Sequence, residues 1–441
     1  MTRQYDTDLT HTHQQLDALY LKFKQGVQLP YDILDIHNIA DGAKAGNFIE
    51  IRCGGFGSEI SAHPTEKNQF YALTDRGPNT TYDVNGDKGK IFLDPSYTPK
   101  IGLFQLHENG TIEKLKEILL KDPSGNMITG LPNQHFGATK EIAYDQYGKV
   151  LEHGTDEFGL DSEGLVALKD GTFWVSDEYG PHIVHFNADG IEIDRINAYE
   201  QDERRKSGYL LPLEFANRRQ NRGMEGLTIT PDQKTLVGIM QSTMSNPDSS
   251  ASKSDFVRIV TINLENKAIS QYLYRQENIG HSNTAITALS ANEFLVAERD
   301  DDFYKYNPKA FKRVYKIDFS AATDVEQIQN TEKFQQDEHL GLLIDGQTIE
   351  QSVLSVGWQG LSELDIFPVS KTLVVDLVER LHYPHDKVEG LWVIDEQYLA
   401  VLNDDDYGFS ETNGVMEQKY INADKTKIDS NTLYIIDGLN F

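Results

Sequence analysis

Carboxylates recur in this chain at a repeating distance. Glu163 and Asp177 stand 14 positions apart, as do Glu389 and Asn403, and as do Thr284 and Glu298, where a threonine takes the place of the first acid. Glu59 and Asp75, and Glu225 and Gln241, stand 16 apart. Three of the copies open on the same words, Ser162-Glu163-Gly164-Leu165, Met224-Glu225-Gly226-Leu227 and Val388-Glu389-Gly390-Leu391. Two strands of about five or six residues and a tight turn fill such an interval. In an antiparallel hairpin the start of the first strand and the end of the second lie at one end. Each copy therefore delivers two oxygen-bearing side chains to one rim. Converging rims would make a ligand set for a hard cation. Calcium, which takes about 6–8 oxygens in flexible geometry, is the first expectation, with magnesium or manganese second. Zinc is disfavoured, because it prefers His or Cys and no His recurs in the phrase.

The expected metal-ligating set is Glu59, Asp75, Glu163, Asp177, Glu225, Gln241, Glu298, Glu389, Asn403 and Asp404, with Glu178, Asp300 and Asp405 as further oxygen sources. Packing so many acids near one axis without a cation would raise their pKa values or demand counter-charges. The competing reading is structural: acids at strand ends cap turns, and Glu-Gly is a device for a β-bulge. Arg76, Arg222 and Arg299 flank the acids. An arginine grips phosphate or carboxylate through two parallel hydrogen bonds, or else neutralises a neighbouring carboxylate. Tyr179 is a candidate substrate contact or a turn-packing residue. Glu163, Asp177 and Glu178 are the candidate acid/base groups. The pair His382 and His385 is interrupted by Pro384, and His135 and His281 sit in polar loops.

The elements that must position these residues repeat as well. A third strand follows each hairpin, at 101–106, 182–187, 258–263, 313–318 and 432–437, and a fourth is visible at 191–196 and 269–274. The pairs Asn109-Gly110, Asp170-Gly171 and Asp189-Gly190 are hairpin turns. Self-similarity at this interval marks a repeat architecture. The expected fold is all-β, a β-propeller of four-stranded antiparallel blades around a central channel. Five copies are clear, and two intervals are long enough for one more. The spacing favours six blades, with five or seven open. The last copy ends on its third strand, so a strand near the N-terminus, at Phe48–Ile51, is expected to complete it. Residues 1–40 read as an N-terminal arm, helix-like around Leu16, Leu19, Tyr20 and Phe23. Residues 41–441 read as one propeller domain with an insertion near 325–375. Residues 243–256 read as a loop, flexible by composition.

Several stretches now carry a resemblance. Asp161-Ser162-Glu163-Gly164-Leu165, Trp174-Val175-Ser176-Asp177-Glu178-Tyr179-Gly180-Pro181, Asn221-Arg222-Gly223-Met224-Glu225-Gly226-Leu227, Ala297-Glu298-Arg299-Asp300 and Lys387-Val388-Glu389-Gly390-Leu391 resemble the phytase-like family, bacterial proteins described by an esterase-like activity of phytase. Ala72-Leu73-Thr74-Asp75-Arg76-Gly77-Pro78 is similar to that family's first-blade motif. The similarity runs over roughly 48–438. It departs at Asn403-Asp404-Asp405-Asp406-Tyr407-Gly408, where the family tends to Asn-Asp-Asn-Asp-Phe-Gly, so one charge rises. The resemblance implies a propeller, usually exported, with calcium-supported hydrolysis of phosphate esters.

Composition sets the outer bounds. The chain has 441 residues and a net charge of −28, which disfavours nucleic acid and anionic membranes and favours cations. Small anionic substrates, a phosphate ester first, and a monomeric state are expected. No stretch approaches the ~18 continuous apolar residues of a membrane span. The start at Met1 lacks the apolar core of a signal peptide. The resemblance implies a periplasmic or secreted protein, while the residues themselves leave the cytoplasm open. The single Cys53 cannot form an internal disulfide and reads as an inert thiol. No Gly-x-Ser-x-Gly elbow is present, which disfavours a serine esterase of the α/β-hydrolase type. Three functions remain: a metal-dependent phosphomonoester hydrolase, a lactonase or carboxylic-ester hydrolase on the same scaffold, and a non-catalytic propeller with a structural ion.

Overall fold

The computed structural model describes residues 15, 17–38, 48–84, 86–138, 140–412 and 415–441. Residues 1–14 and Leu16, part of the expected arm, lie outside them. The architecture is all-β, with five four-stranded antiparallel sheets that follow the repeated phrases. The first joins Glu59–Ala62, Gln69–Leu73, Lys100–Leu106 and Ile112–Leu119. The second joins Ser162–Ala167, Phe173–Asp177, His182–Phe186 and Glu192–Ile196, and the third Met224–Ile229, Thr235–Met240, Phe256–Asn263 and Ile269–Arg275. The fourth joins Ser282–Ala288, Glu293–Arg299, Lys312–Asp318 and Ser370–Asp376, and the fifth Gly390–Val393, Leu399–Leu402, Thr432–Ile436 and Val27–Gln28.

Burial explains the composition of each strand. The first strand of the second sheet is buried along its whole length, and so is its neighbour Phe173–Asp177. Both faces are covered by adjacent sheets, so the apolar residues Leu165–Ala167 and Phe173–Val175 run consecutively and do not alternate with polar ones. The outer strand Ile112–Leu119 carries charges at Glu113, Lys114, Lys116 and Glu117, and these keep that edge in water.

The sheets meet through their first strands. Glu59–Ala62 packs beside Ser162–Ala167, that strand beside Met224–Ile229, then Ser282–Ala288, then Gly390–Val393, which returns to Glu59–Ala62. Among the described residues five such sheets occur, where spacing favoured six. The two long intervals hold other structure. The first, after Asp75, contains a three-stranded sheet of Asn79–Val84, Asp87–Phe92 and Ala143–Tyr144. The second, after Arg299, contains the small sheet Phe334–Asp337, Gly341–Ile344 and Gln347–Thr348 and the helix Ile349–Ser362, before the chain rejoins the fourth sheet at Ser370. That excursion packs on Phe256 and Leu273 of the third sheet. Its helix is fastened by a buried ion pair, Arg258 Nε to Glu350 Oε1 at 2.7 Å.

An N-terminal strand does complete the fifth sheet, but it is Val27–Gln28, paired with Leu433 and Thr432, and not Phe48–Ile51. Leu19, Tyr20 and Phe23 are buried in the core between the first and fifth sheets. Phe48–Cys53 pairs instead with Asp32–Asn38 and lies against the hairpin Phe409–Thr412 and Val415–Gln418. With Asn79–Phe92 these segments form a cap that has its own core, including Ile51, Tyr82, Ile91, Tyr407 and Met416. Within residues 243–256, expected to be flexible, Thr243, Met244, Asn246 and Ala251 are buried and Asn246 Nδ2 donates to Leu340 O at 3.0 Å, while Pro247–Ser250 are exposed.

Candidate functional site

Three successive residues of the phrase do three different things. The first acid turns toward the axis. The glycine lets the neighbouring sheet approach: a Cβ on Gly164 would sit 2.6 Å from Leu227 Cβ, on Gly226 2.9 Å from Ile286 N, and on Gly390 2.9 Å from Ile60 Cγ1. No other residue tolerates these approaches without movement. Register shifts between Ser162 and Leu165, Met224 and Gly226, and Asn283 and Ala285 place a bulge at this point in three hairpins, which re-aims the preceding side chain. The apolar residue that follows packs inward. Ile60, Leu165, Leu227, Ile286 and Leu391, one from each first strand, are all buried and border a separate cavity of about 330 Å³.

Above that apolar layer lies a polar cavity of about 370 Å³. Carboxylate oxygens of Glu163, Glu225 and Glu389 lie within 4.8 Å of one another, and so do those of Asp161, Glu163 and Glu178. Glu163 belongs to both groups. Its carboxylate receives no hydrogen bond from any described residue. Gln241 Nε2 donates to Glu225 Oε1 at 2.8 Å, which leaves Glu225 Oε2 and Gln241 Oε1 buried without a partner. Burial, and then the neighbouring acids, hold the carboxyls of Glu163 and Glu178 well above the usual range. The same causes push Glu225 up to about 8.

The cavity lining offers oxygens of Asp, Glu, Asn, Gln, Ser, Thr and Tyr, with no His or Cys among them. Orphaned, buried oxygens aimed into an anionic cavity fit a hard divalent cation. Glu163, Glu225, Glu389 and Gln241 are the residues best placed to hold one, with Asp161 and Glu178 beside them.

The cations divide into two kinds. Arg76 is committed to Asp161 at 3.1 Å and to Glu141 at 3.3 Å. Arg299 is committed to Glu389 at 2.8 Å and to Asp301. Lys387, also on the wall, is held by Asp404 at 2.6 Å and Asp406 at 2.7 Å. Arg222 is different: among the described residues its side chain reaches only Ser282 Oγ, at 3.2 Å, and its guanidinium faces the cavity without a carboxylate partner. Lys90, from the cap strand Asp87–Phe92, lines the cavity, and its ammonium has no hydrogen-bond or ion-pair partner among the described residues. Nothing in the repeats pointed to Lys90. Asp161 was visible only as the neighbour of Glu163, and Asp301 as the neighbour of Asp300.

Asp75 and Asp404 reach the cavity wall, and Asp75 Oδ1 accepts from Tyr407 Oη at 2.7 Å. Other expected ligands sit elsewhere. Asp177 accepts from the backbone N–H groups of Asp161, Tyr179 and Gly180 at 2.9, 3.1 and 3.1 Å, so it caps the turn after its strand. Burial, more than Asp161, raises its carboxyl to about 7. Tyr179 is buried with its hydroxyl on Gly130 O at 2.5 Å, away from the cavity lining. Glu298 is saturated by Glu277 N, Tyr274, His281 and Lys371. Asn403 Oδ1 accepts from Thr432 N at 2.7 Å, and Asp405 from Tyr407 N and Asn431 N. Glu59 is close to Glu225 and Glu389, and backbone N–H groups of Ile60 and Leu391 occupy its Oε1 while Oε2 is unpartnered. His385 spends both ring nitrogens on Asp429 and Tyr434, so it forms no metal pair with His382.

Comparison with known proteins places this geometry in context. The chain is 32% identical over 234 residues to an uncharacterized secreted protein of Arthroderma benhamiae, covering 44% of this chain and 45% of that one, so it spans less than half of that relative. Among solved structures it is similar to the β-propeller domain of Myceliophteria thermophila Cps50 (Swd1), at 10% identity and a TM-score of 0.31, with 85% of this chain and 83% of that chain covered. It is likewise similar to the periplasmic gluconolactonase of Pseudomonas aeruginosa, at 10% identity and a TM-score of 0.28, with coverage of 70% and 87%. The sequence profile of the phytase-like family, described as esterase-like activity of phytase, matches residues 51–407, and the chain belongs to that family.

Proposed function

We propose that the five sheets are the blades of one β-propeller and that the polar cavity at its axis hydrolyses phosphate esters with the help of a calcium ion. The carrying observation is the pairing, in one cavity, of orphaned carboxyl and amide oxygens with an arginine that has no carboxylate partner. Glu163, Glu225, Glu389 and Gln241 would hold the ion. Bound there, it supplies a Lewis acid and lowers the pKa of water. Arg222 pairs the phosphoryl oxygens. Glu178 would take the proton of the attacking water and return it to the departing alcohol, as the ester P–O bond breaks. Arg76 and Arg299 hold Asp161 and Glu389 in position. A location outside the cytoplasm is supported by the family and by the secreted fungal relative. No helix among the described residues is long and apolar enough to cross a membrane.

The test is release of phosphate from aryl phosphates and from phytate, with calcium and then with a chelator. Turnover that needs calcium is expected. No calcium-dependent turnover on any phosphate ester overturns the proposal, and turnover on lactones or aryl acetates alone selects ester or lactone hydrolysis in its place.

A further inference from the structure

Lys90 is half-buried on the wall of the polar cavity. Its strand Asp87–Phe92 pairs with Asn79–Val84, and its backbone N–H donates to Ile142 O at 2.9 Å. Successive strand residues face opposite ways. Ile91 is fully buried in the core of the cap, and Lys90 faces the other way with Thr81, its partner across the ladder, and both line the polar cavity. Burial first, and Arg76 second, pull its ammonium below the usual lysine range. Most other cations of this wall have a carboxylate within 3.3 Å. Lys90 has none among the described residues, and Glu141, Asp161 and Glu178 act on it from longer range. A half-buried ammonium without an ion pair is open to a ligand that brings the charge.

We propose that Lys90 is the specificity-determining residue of this cavity and that it selects a doubly charged phosphoryl group, that is, a phosphomonoester. The proposal rests on the phosphate-ester reading above. Two unpartnered cations approach the cavity from different parts of the fold, Arg222 from the channel wall and Lys90 from the cap. One oxygen anion satisfies Arg222. The second negative charge, present on a monoester dianion and missing from a diester or a carboxylic ester, is what Lys90 neutralises. Lys90 bonds the group that stays on phosphorus, so it acts on binding more than on the bond-breaking step.

The experiment compares wild type, Lys90→Gln, Lys90→Met and Lys90→Arg in calcium. It reads the affinity for inorganic phosphate by calorimetry, and kcat and KM for an aryl phosphomonoester and a bis-aryl phosphodiester. A charge-assisted hydrogen bond predicts that Lys90→Gln weakens phosphate binding and raises monoester KM about 10–100-fold. The diester constants and kcat change little, and Lys90→Arg restores most of the loss. Lys90→Met keeps the apolar stem and must behave like Lys90→Gln. Unchanged phosphate affinity in both neutral variants overturns the role of Lys90 even where monoester turnover persists. Phosphate binding that depends on Lys90, in a protein that hydrolyses no phosphate ester, keeps the subsite and overturns the hydrolase reading. No phosphate binding by wild type overturns both.

Discussion

Gly390 and Ile60 stand where the last sheet meets the first, so close that a Cβ on Gly390 would lie 2.9 Å from Ile60 Cγ1 and 3.0 Å from Leu402 Cβ. Gly226 faces the next sheet's backbone in the same way, 2.9 Å from Ile286 N. A backbone neighbour cannot rotate aside as a side-chain tip can. Gly226→Ala is expected to cost about 1–3 kcal/mol of stability by overpacking. Gly390→Ala, which meets side chains, is expected to cost less. Urea denaturation midpoints measure both, and equal stability of Gly226→Ala and wild type would show that the sheets can part without penalty.

The acidic cavity makes stability depend on pH in an unusual direction. Glu225 titrates near 4.5 when unfolded, and burial raises it to about 8 in the fold. Between these values the folded state binds more protons than the unfolded one, so stability falls as pH rises. Glu163 and Glu178 shift the same way. The metal-free protein should therefore lose melting temperature from pH 5 to pH 8. Calcium should return it, by more at pH 8 than at pH 5. A calcium shift independent of pH would contradict this.

Glu163 is shared by both carboxylate groups, so its replacement should be felt more than that of any other acid. Removing even an outer-shell partner of a metal costs roughly 10–100-fold in affinity or activity. Glu163→Gln should lose at least as much in calcium affinity while the metal-free protein gains stability at pH 8, because one buried charge is gone. Calorimetric titration and thermal melts read the two effects separately. Asp177→Asn, at a turn cap outside the cavity, should leave calcium affinity within a few-fold of wild type.

The excursion after Arg299 hangs on Glu350, which takes hydrogen bonds from Arg258 at 2.7 and 3.0 Å and is fully buried. Breaking a buried pair by removing one partner leaves the other charge stranded. Glu350→Ala should destabilise by about 3–5 kcal/mol. Activity per folded molecule should persist, since the pair lies outside the cavity lining.

What could be read from the residues follows their periodicity. The hairpins, their third strands and the convergence of Glu163, Glu225 and Glu389 all come from one repeated phrase, because its spacing sets strand length and strand length sets the rim. Asp177 and Asn403 lie outside the cavity lining for a chemical reason: a turn cap and a metal ligand are both short oxygen side chains at a strand end, and spacing alone does not separate them. Lys90 was invisible because the cap strands repeat nothing and their alternation is weak. The strand completing the fifth sheet was misassigned because Phe48–Ile51 is the more apolar run. The open edge beside Thr432 needs only two residues, and Val27–Gln28 reach it first, with Leu29 N on Asn431 O at 2.9 Å.

The five apolar side chains beneath the acids make the axis a vessel and not a pipe. Ile60, Leu165, Leu227, Ile286 and Leu391 leave two cavities that share no lining residue. A charged molecule cannot cross such a layer at acceptable cost. Under the proposed function, the apolar cavity beyond that layer is therefore no exit for a charged product. An anionic product retained in the acidic cavity would then shut out the next reactant by occupancy alone.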